Sequence, residues 1–162
     1  DGTVFHYNVD SIREEIFSLK EVVEKAKSYN DFDLKEYLVT DEKLEKWKYL
    51  KGGKRIERKT KAGHSYIYSE GNMAFPENME EPARTLLTSE GTTNRSSHII
   101  YDNKQKKYRT LTEIECEIIQ MFPPNWTDTM PKRNRYFMMG NALVTGIISR
   151  LEPTLKKIIE NE

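Results

Sequence analysis

The stretch Lys51 to His64, KGGKRIERKTKAGH, holds six Lys or Arg, one Glu and three Gly in fourteen residues, a local charge of +5. Cationic groups at that density on a glycine-punctuated segment suit the gripping of a polyanion. The plain alternative is a solvated basic hairpin. A second stretch, Thr88 to Ser97, runs for ten residues without one large apolar side chain. A loop that long and polar is expected at the surface, where recognition is usually carried. Nucleophilic and metal chemistry have less to work with. Cys116 is the single cysteine, and His6, His64 and His98 show no ligand spacing with it, so no metal site is expected.

The background to these segments is a neutral chain of 162 residues with 26 basic and 26 acidic side chains, 36% hydrophobic and 32% charged. The balance is uneven along the chain. Asp10 to Leu50 is net −3, Ser65 to Asp102 net −4, and Asn103 to Arg135 net +3. A positive face can therefore exist without a positive total. The length allows one core, or a core with a dependent extension. No apolar run approaches a membrane span, and the opening DGTVFHYNVD lacks signal-peptide character. With one cysteine, a reducing, cytoplasmic setting is expected.

The elements that must position these residues read as α+β. A helix over about residues 11–28 is signalled by Ser11 and Glu14 in capping-box spacing, with Ile12, Ile16, Leu19 and Val23 at helical intervals. A second, over about 41–50, follows Thr40, buries Leu44, Trp47 and Leu50, and stops at Gly52 and Gly53. Strands and loops then fill about 54–107, expected as one twisted antiparallel sheet; Tyr66 and Tyr68 alternate on one face, and FPENMEEPA stays irregular. Thr112 and Glu115 cap a third helix, which FPPNW stops. A last helix is expected from about Arg135 to Leu151, ended by Pro153 and followed by a polar tail from Thr154. Gly140 is costly inside a helix, by about 1 kcal/mol, and so marks a helix start or a close backbone approach.

With those elements in place, the last third resembles a known family. YRTLTEIECEIIQMFPPNW is similar to the ninth motif of the cytosine-5 DNA methyltransferases, through Arg109, Leu111, Thr112, Glu115, Gln120, Phe122 and Pro123. RYFMMGNALVTGIISRL resembles the tenth motif, through Gly140, Asn141 and Ala142, with Leu143 where Val is commoner. Upstream, Thr85 and Leu86 of PARTLL resemble the Thr-Leu pair of the family's target-recognition region. The three elements stand in family order over roughly Pro82 to Leu151. Two positions depart from the pattern: Ile118 replaces an Arg and Met121 replaces the Gly before Phe-Pro. Both read as apolar groups on a helical face.

The resemblance implies a division of the chain and a role. Residues 1–107 would be target-recognition region, and 108–162 a helical segment packing on a Rossmann-like catalytic domain. The family's Pro-Cys nucleophile, Glu-Asn-Val acid motif, Phe-x-Gly-x-Gly cofactor loop and Gln-x-Arg-x-Arg motif do not occur in these residues. No catalytic residue is therefore expected; Cys116 reads as a buried structural thiol. The implied partners are double-stranded DNA and an N-terminal catalytic domain or subunit, with S-adenosylmethionine as the intact enzyme's cofactor. Lys51, Lys54, Arg55, Arg58, Lys59 and Lys61 would hold phosphates. Arg84, Thr85 and Leu86, with the loop residues Ser89, Glu90, Gly91, Thr92, Thr93, Asn94, Arg95, Ser96, Ser97 and His98, would contact DNA, the loop reading the bases. Arg95 can pair with guanine and Asn94 with adenine. Arg84 has a second option, anchoring the loop to Glu90. Asn141 and Ala142 would lie near the cofactor. A stand-alone DNA-binding or regulatory module, and a protein-interaction domain for an acidic partner, are the rival readings.

Overall fold

A computed structural model of the chain describes residues 2–8, 15–29 and 33–161. Ser11, Ile12 and Glu14, expected to open the first helix, lie outside them. The helix that is described, α1 (Leu19–Lys27), begins later than expected, while Ile16 is exposed and non-helical. Its cap is Ser18, whose hydroxyl accepts from the Glu21 amide while the Glu21 carboxylate accepts from the Ser18 amide at 2.7 Å. A short 3-10 turn (Leu34–Tyr37) leads to α2 (Asp41–Lys51), capped by the Thr40 hydroxyl as expected.

Strands β1 (Lys54–Lys59) and β2 (Ser65–Glu70) pair antiparallel, as do β3 (Ile99–Asp102) and β4 (Lys107–Thr110). The fold is α+β, but the strands form two separate two-stranded ribbons rather than one sheet. The reason lies between them. Residues 71–98 are irregular, and their polar groups bond side chains and turns instead of presenting a sheet edge. Arg84–Leu87, within the region expected to hold strands and loops, is part of this irregular stretch.

The core gathers Leu19, Val22 and Ala26 of α1, Leu86, Ile100 of β3, Leu111, and residues of two further helices, α3 (Glu113–Ile119) and α4 (Lys132–Asn141). Those are Ile114, Cys116, Ile118, Tyr136 and Met139. Each large apolar side chain buried there stabilises the fold by about 1.5–3 kcal/mol. The core draws on both sides of the 107/108 division, so the two segments fold against each other.

Helix α3 carries three buried glutamates, each holding a different part of the chain. Glu115 accepts two bonds from Arg109, at 2.8 and 2.6 Å, and one from the Thr112 amide at 2.7 Å, fixing β4 to the start of α3. Glu113 accepts from the Tyr37 hydroxyl at 2.6 Å. Glu117 accepts from the amides of Asn125 and Thr127, at 2.6 and 3.0 Å, and from Arg135 at 2.8 Å. Buried carboxylates are tolerable only when their lone pairs are filled in this way.

Helix α3 ends in a Schellman turn. The Met121 amide bonds Ile118 O and the Phe122 amide bonds Glu117 O, both at 2.9 Å. That turn requires a left-handed residue, and Met121 takes it at φ 60°. Met121 is therefore not on a helical face; its side chain is half exposed and lies against Gly146. Ile118, the other departure from the family pattern, is in the core.

The expected single last helix is two. Helix α4 stops at Asn141, residues 142–144 are extended, and α5 (Thr145–Glu160) begins where the Thr145 amide bonds Gln120 O at 3.1 Å. Pro153 sits inside α5 rather than ending it. Its missing amide costs one bond on an exposed helix, where water satisfies the freed carbonyl. Gly140 proves to be a close approach, because α4 crosses the backbone next to the Thr-Leu pair. A Cβ at Gly140 would stand 2.6 Å from Leu87 O and closer still to the Leu87 carbonyl carbon and Thr88 N. Neither neighbour is a flexible side chain. Gly140→Ala should therefore lower unfolding free energy by about 3 kcal/mol, as severe overpacking does. Chemical denaturation of both proteins checks this; an unchanged midpoint would mean that α4 does not lie against Leu87.

Candidate nucleic-acid interface

The basic segment forms the β1–β2 ribbon, which turns through Thr60–His64 with Gly63 at φ 86°. Every residue from Arg55 to Ile67 is exposed, so neither side of the ribbon lies on the core. Directly paired residues share a face. One face therefore carries Lys54, Ile56, Arg58, Tyr66, Tyr68 and Glu70; the other carries Arg55, Glu57, Lys59, Ser65, Ile67 and Ser69.

The first face is tied together internally. Lys54 bonds Glu70 at 3.1 Å and Leu50 O at 2.9 Å, and lies 4.9 Å from the Tyr49 ring centroid. The Arg58 guanidinium stacks on Tyr68 at 3.6 Å, and the Tyr68 hydroxyl donates to Glu70. The hydrogen bonds from Tyr68 and Lys54 hold the Glu70 carboxyl below its usual range.

At the ribbon's foot stands Arg95. Its guanidinium donates to Leu50 O, Gly52 O and Gly71 O and pairs with Glu70 at 3.2 Å. The Gly53 amide donates to Asn72 Oδ1 alongside it. Arg95 thus grips both strands where they leave the body of the protein. In this structure the guanidinium donors that could meet a guanine edge are turned inward onto the chain's own carbonyls.

The rest of the polar loop is similarly occupied. Asn94 Oδ1 accepts from the Ser96 amide and hydroxyl, at 3.0 and 2.8 Å, while Trp47 Nε1 donates to Asn94 O at 3.1 Å. An adenine would need that same Oδ1. Ser97 and His98 are buried; the Ser97 hydroxyl donates to Thr92 O, and His98 meets Glu90 through its amide and Nδ1 at 2.8 and 2.9 Å. Ser89 pairs with Ser96, and Thr92 bonds Ser89 O. Gly91, at φ 76°, lies against the Tyr136 ring. The loop is a folded unit because its hydroxyls and amides satisfy one another. Thr93 is partly buried; of the Thr-Leu pair, Leu86 enters the core while Thr85 stays exposed.

Two further basic residues are tied to one carboxylate, Glu77. Lys51 is buried and bonds Glu77 at 3.1 Å, which removes it from the phosphate set. Arg84 anchors the loop to Glu77, not to Glu90, through bonds of 2.9 and 2.6 Å, and also reaches Ser96 O. Burial works to raise the Glu77 carboxyl, but Arg84 and Lys51 outweigh it and hold it below the ordinary range. Burial likewise pushes the Lys51 ammonium down, with Glu77 offsetting part. Sequence reasoning missed Glu77 and Trp47 as organisers of the loop. The signal for Trp47 was its place in a helical stripe; nothing local marks Glu77.

Of the basic residues expected to hold phosphates, Arg55, Arg58, Lys59 and Lys61 stay outward, all on the ribbon or its turn. Lys54, spent on Glu70 and Leu50 O, is not among them. Cys116 is buried, and burial with four nearby carboxylates raises its thiol well above the usual value, so the thiolate is suppressed. Asn141 is exposed at the end of α4, its amide donating to Phe137 O at 3.2 Å, and Ala142 packs partly against the core.

If Arg95 holds the ribbon to the body, Arg95→Ala should free the strands while leaving the core intact. Local opening of residues 54–70 should become easier by about 2 kcal/mol, roughly thirtyfold faster amide exchange. Hydrogen-exchange mass spectrometry checks it; unchanged protection in the ribbon would remove Arg95 from this role.

Comparison with known proteins places this geometry in context. Residues 3–157 match the family model described as C-5 cytosine-specific DNA methylase. The chain is 48% identical over 122 residues to the Type II methyltransferase M.Sau3AI of Staphylococcus aureus, covering 75% of this chain. It spans 29% of that relative's length. No solved structure matches the chain.

Proposed function

Because the chain belongs to the C-5 cytosine-specific DNA methylase family, we propose that it is the part of such an enzyme that recognises DNA. The observation that carries this reading is the exposed basic ribbon, free of the core on both sides and clamped at its foot by Arg95. Duplex DNA offers a dense row of phosphates to Arg58, Lys59 and Lys61. The intact enzyme would act within a restriction–modification system, as the Type II relative's name suggests.

The intact enzyme would act on a cytosine drawn out of the duplex. S-adenosylmethionine, when bound, supplies the methyl group. This chain's residues do not perform the transfer: Cys116 is buried with its thiolate suppressed, and the family's catalytic motifs are not among these residues. Their work is to bind and orient the duplex. Asn141, exposed at the end of α4 with Ala142 beside it, would supply part of the cofactor pocket's wall, while the remainder of the pocket comes from the catalytic domain.

Helix α5 supports a partner of that kind. Ile147, Leu151, Leu155 and Ile158 form one stripe at helical spacing and all are about half exposed. The catalytic domain would cover it. That same stripe disfavours the alternative, a stand-alone DNA-binding module, which would leave it in water.

Two outcomes follow. The chain alone, incubated with duplex DNA and labelled S-adenosylmethionine, should transfer no methyl groups. Incorporation above background would overturn the assignment of chemistry to another domain. Replacing Arg58, Lys59 and Lys61 by Ala should weaken binding to all duplexes alike. The slope of log affinity against log salt should also fall by about 0.9 for each phosphate that the variant no longer neutralises. An unchanged slope in a salt titration would return the ribbon to a solvated hairpin.

A further inference from the structure

The two faces of the ribbon differ in a way that its charge does not reveal. On the face with Lys54, Arg58, Tyr66, Tyr68 and Glu70, all but Tyr66 are engaged with one another, through an ion pair, a stacked guanidinium and a hydroxyl–carboxylate bond. On the opposite face, Arg55, Glu57, Lys59, Ser65 and Ser69 make no side-chain hydrogen bond or ion pair within the described residues. In their midst Ile67 is 57% exposed, directly across from Glu57. An isolated two-stranded ribbon is marginal by itself. This one is bolted to the body at its foot, and it holds one face closed and the other open.

We infer that the ribbon enters the major groove of duplex DNA with Arg55, Glu57, Ile67 and Ser69 of the open face against the base edges, while Arg58, Lys59 and Lys61 at its turn end lie beside the phosphates. The inference deepens the DNA-recognition role proposed above and rests on it. The shape fits: two strands about 4.8 Å apart are admitted by a groove about 12 Å wide. Six residues per strand extend for about 20 Å, the length of about six base pairs. The chemistry fits as well. Arg55 offers a bidentate donor pair for guanine, Glu57 an acceptor for the cytosine amino group, and Ser69 adapts to either strand's edges. Ile67 offers an apolar surface to a thymine methyl, which accounts for an exposed isoleucine on an otherwise polar face. Glu57 argues for bases over phosphates, because a carboxylate beside the phosphate row would be repelled. The polar loop cannot supply the same reading, since Asn94 and Arg95 are spent on holding the ribbon and its surroundings.

The test is selection from a randomised duplex library at fixed salt, using the full chain, Arg55→Ala, Glu57→Gln, Ile67→Ala and, as a control on the closed face, Ile56→Thr. All four positions are exposed, and thermal unfolding of each variant checks that the fold is kept. The wild-type chain and Ile56→Thr should enrich the same sequence. Each open-face variant should lose preference at its own position, with discrimination there falling about tenfold and binding to unrelated duplexes nearly unchanged. Replacing guanine by 7-deazaguanine at the position where Arg55→Ala loses preference should reproduce that effect with the wild-type chain. If the wild type enriches a sequence and the open-face variants enrich it equally, the ribbon does not read bases, and the DNA-recognition role stands without it. Equal weakening on all duplexes would make these residues phosphate contacts and also overturn the inference. Failure of the wild type to enrich or bind any duplex would instead overturn the recognition role itself.

Discussion

The Arg109–Glu115 pair is the constraint on which the remaining structure depends. It is buried, bidentate and shared with the Thr112 amide, so one carboxylate both caps α3 and joins that helix to β4. Losing either partner would leave a buried charge uncompensated, at a cost of about 3–5 kcal/mol. Once the pair sets α3, its neighbours Glu113 and Glu117 are aimed at Tyr37 and at the 125–135 segment. Seven residues of helix thereby fix the entry to α2, the β3–β4 ribbon and the base of α4. A core of this modest size gains its definition from directed bonds as much as from apolar area.

The same economy governs the surface. The polar loop between Thr88 and His98 has a composition suited to binding, yet its groups are paired with one another, with Glu90 and with α2. It works as a bracket that ends in Arg95, and Arg95 holds the ribbon. Rigidity at the foot limits how far the ribbon can swing, which lowers the ordering cost of placing it on a ligand. An exposed basic surface and its internal support are thus divided between two glycine-containing polar segments.

Close approach supplies the third element. Gly140 lets α4 lie on the backbone at Leu87, and Gly91 lets the loop lie on Tyr136. Through these two contacts the 87–91 segment is seated on α4. Beyond α4, the helix α5 turns its apolar stripe outward. The fold therefore presents two unlike surfaces, a basic ribbon and an apolar helix, from one core.

Much of this was legible in the order of the residues. Thr112 with Glu115, Thr40 before α2, the glycines around the basic segment and the tyrosine alternation in β2 are signals between residues two to four apart, and the structure realises each. Gly140 announced either a helix start or a close approach, without naming what approaches. The sequence could not decide which charged groups are buried. Glu113 and Glu117 sit in a run whose acids look solvated, and Lys51 in a run of cations; each is taken inside by its partner. Tyr37 lies 76 residues from Glu113, Lys51 lies 26 from Glu77, and Arg95 lies 45 from Leu50. Nor could local pattern show that Pro153 would be carried within α5, or that Met121 would adopt a left-handed turn. Short-range rules report the geometry that a helix or strand imposes on its own neighbours. Whether a charge can leave water depends on a second group brought to it from a distant part of the chain, and only the tertiary structure supplies that group.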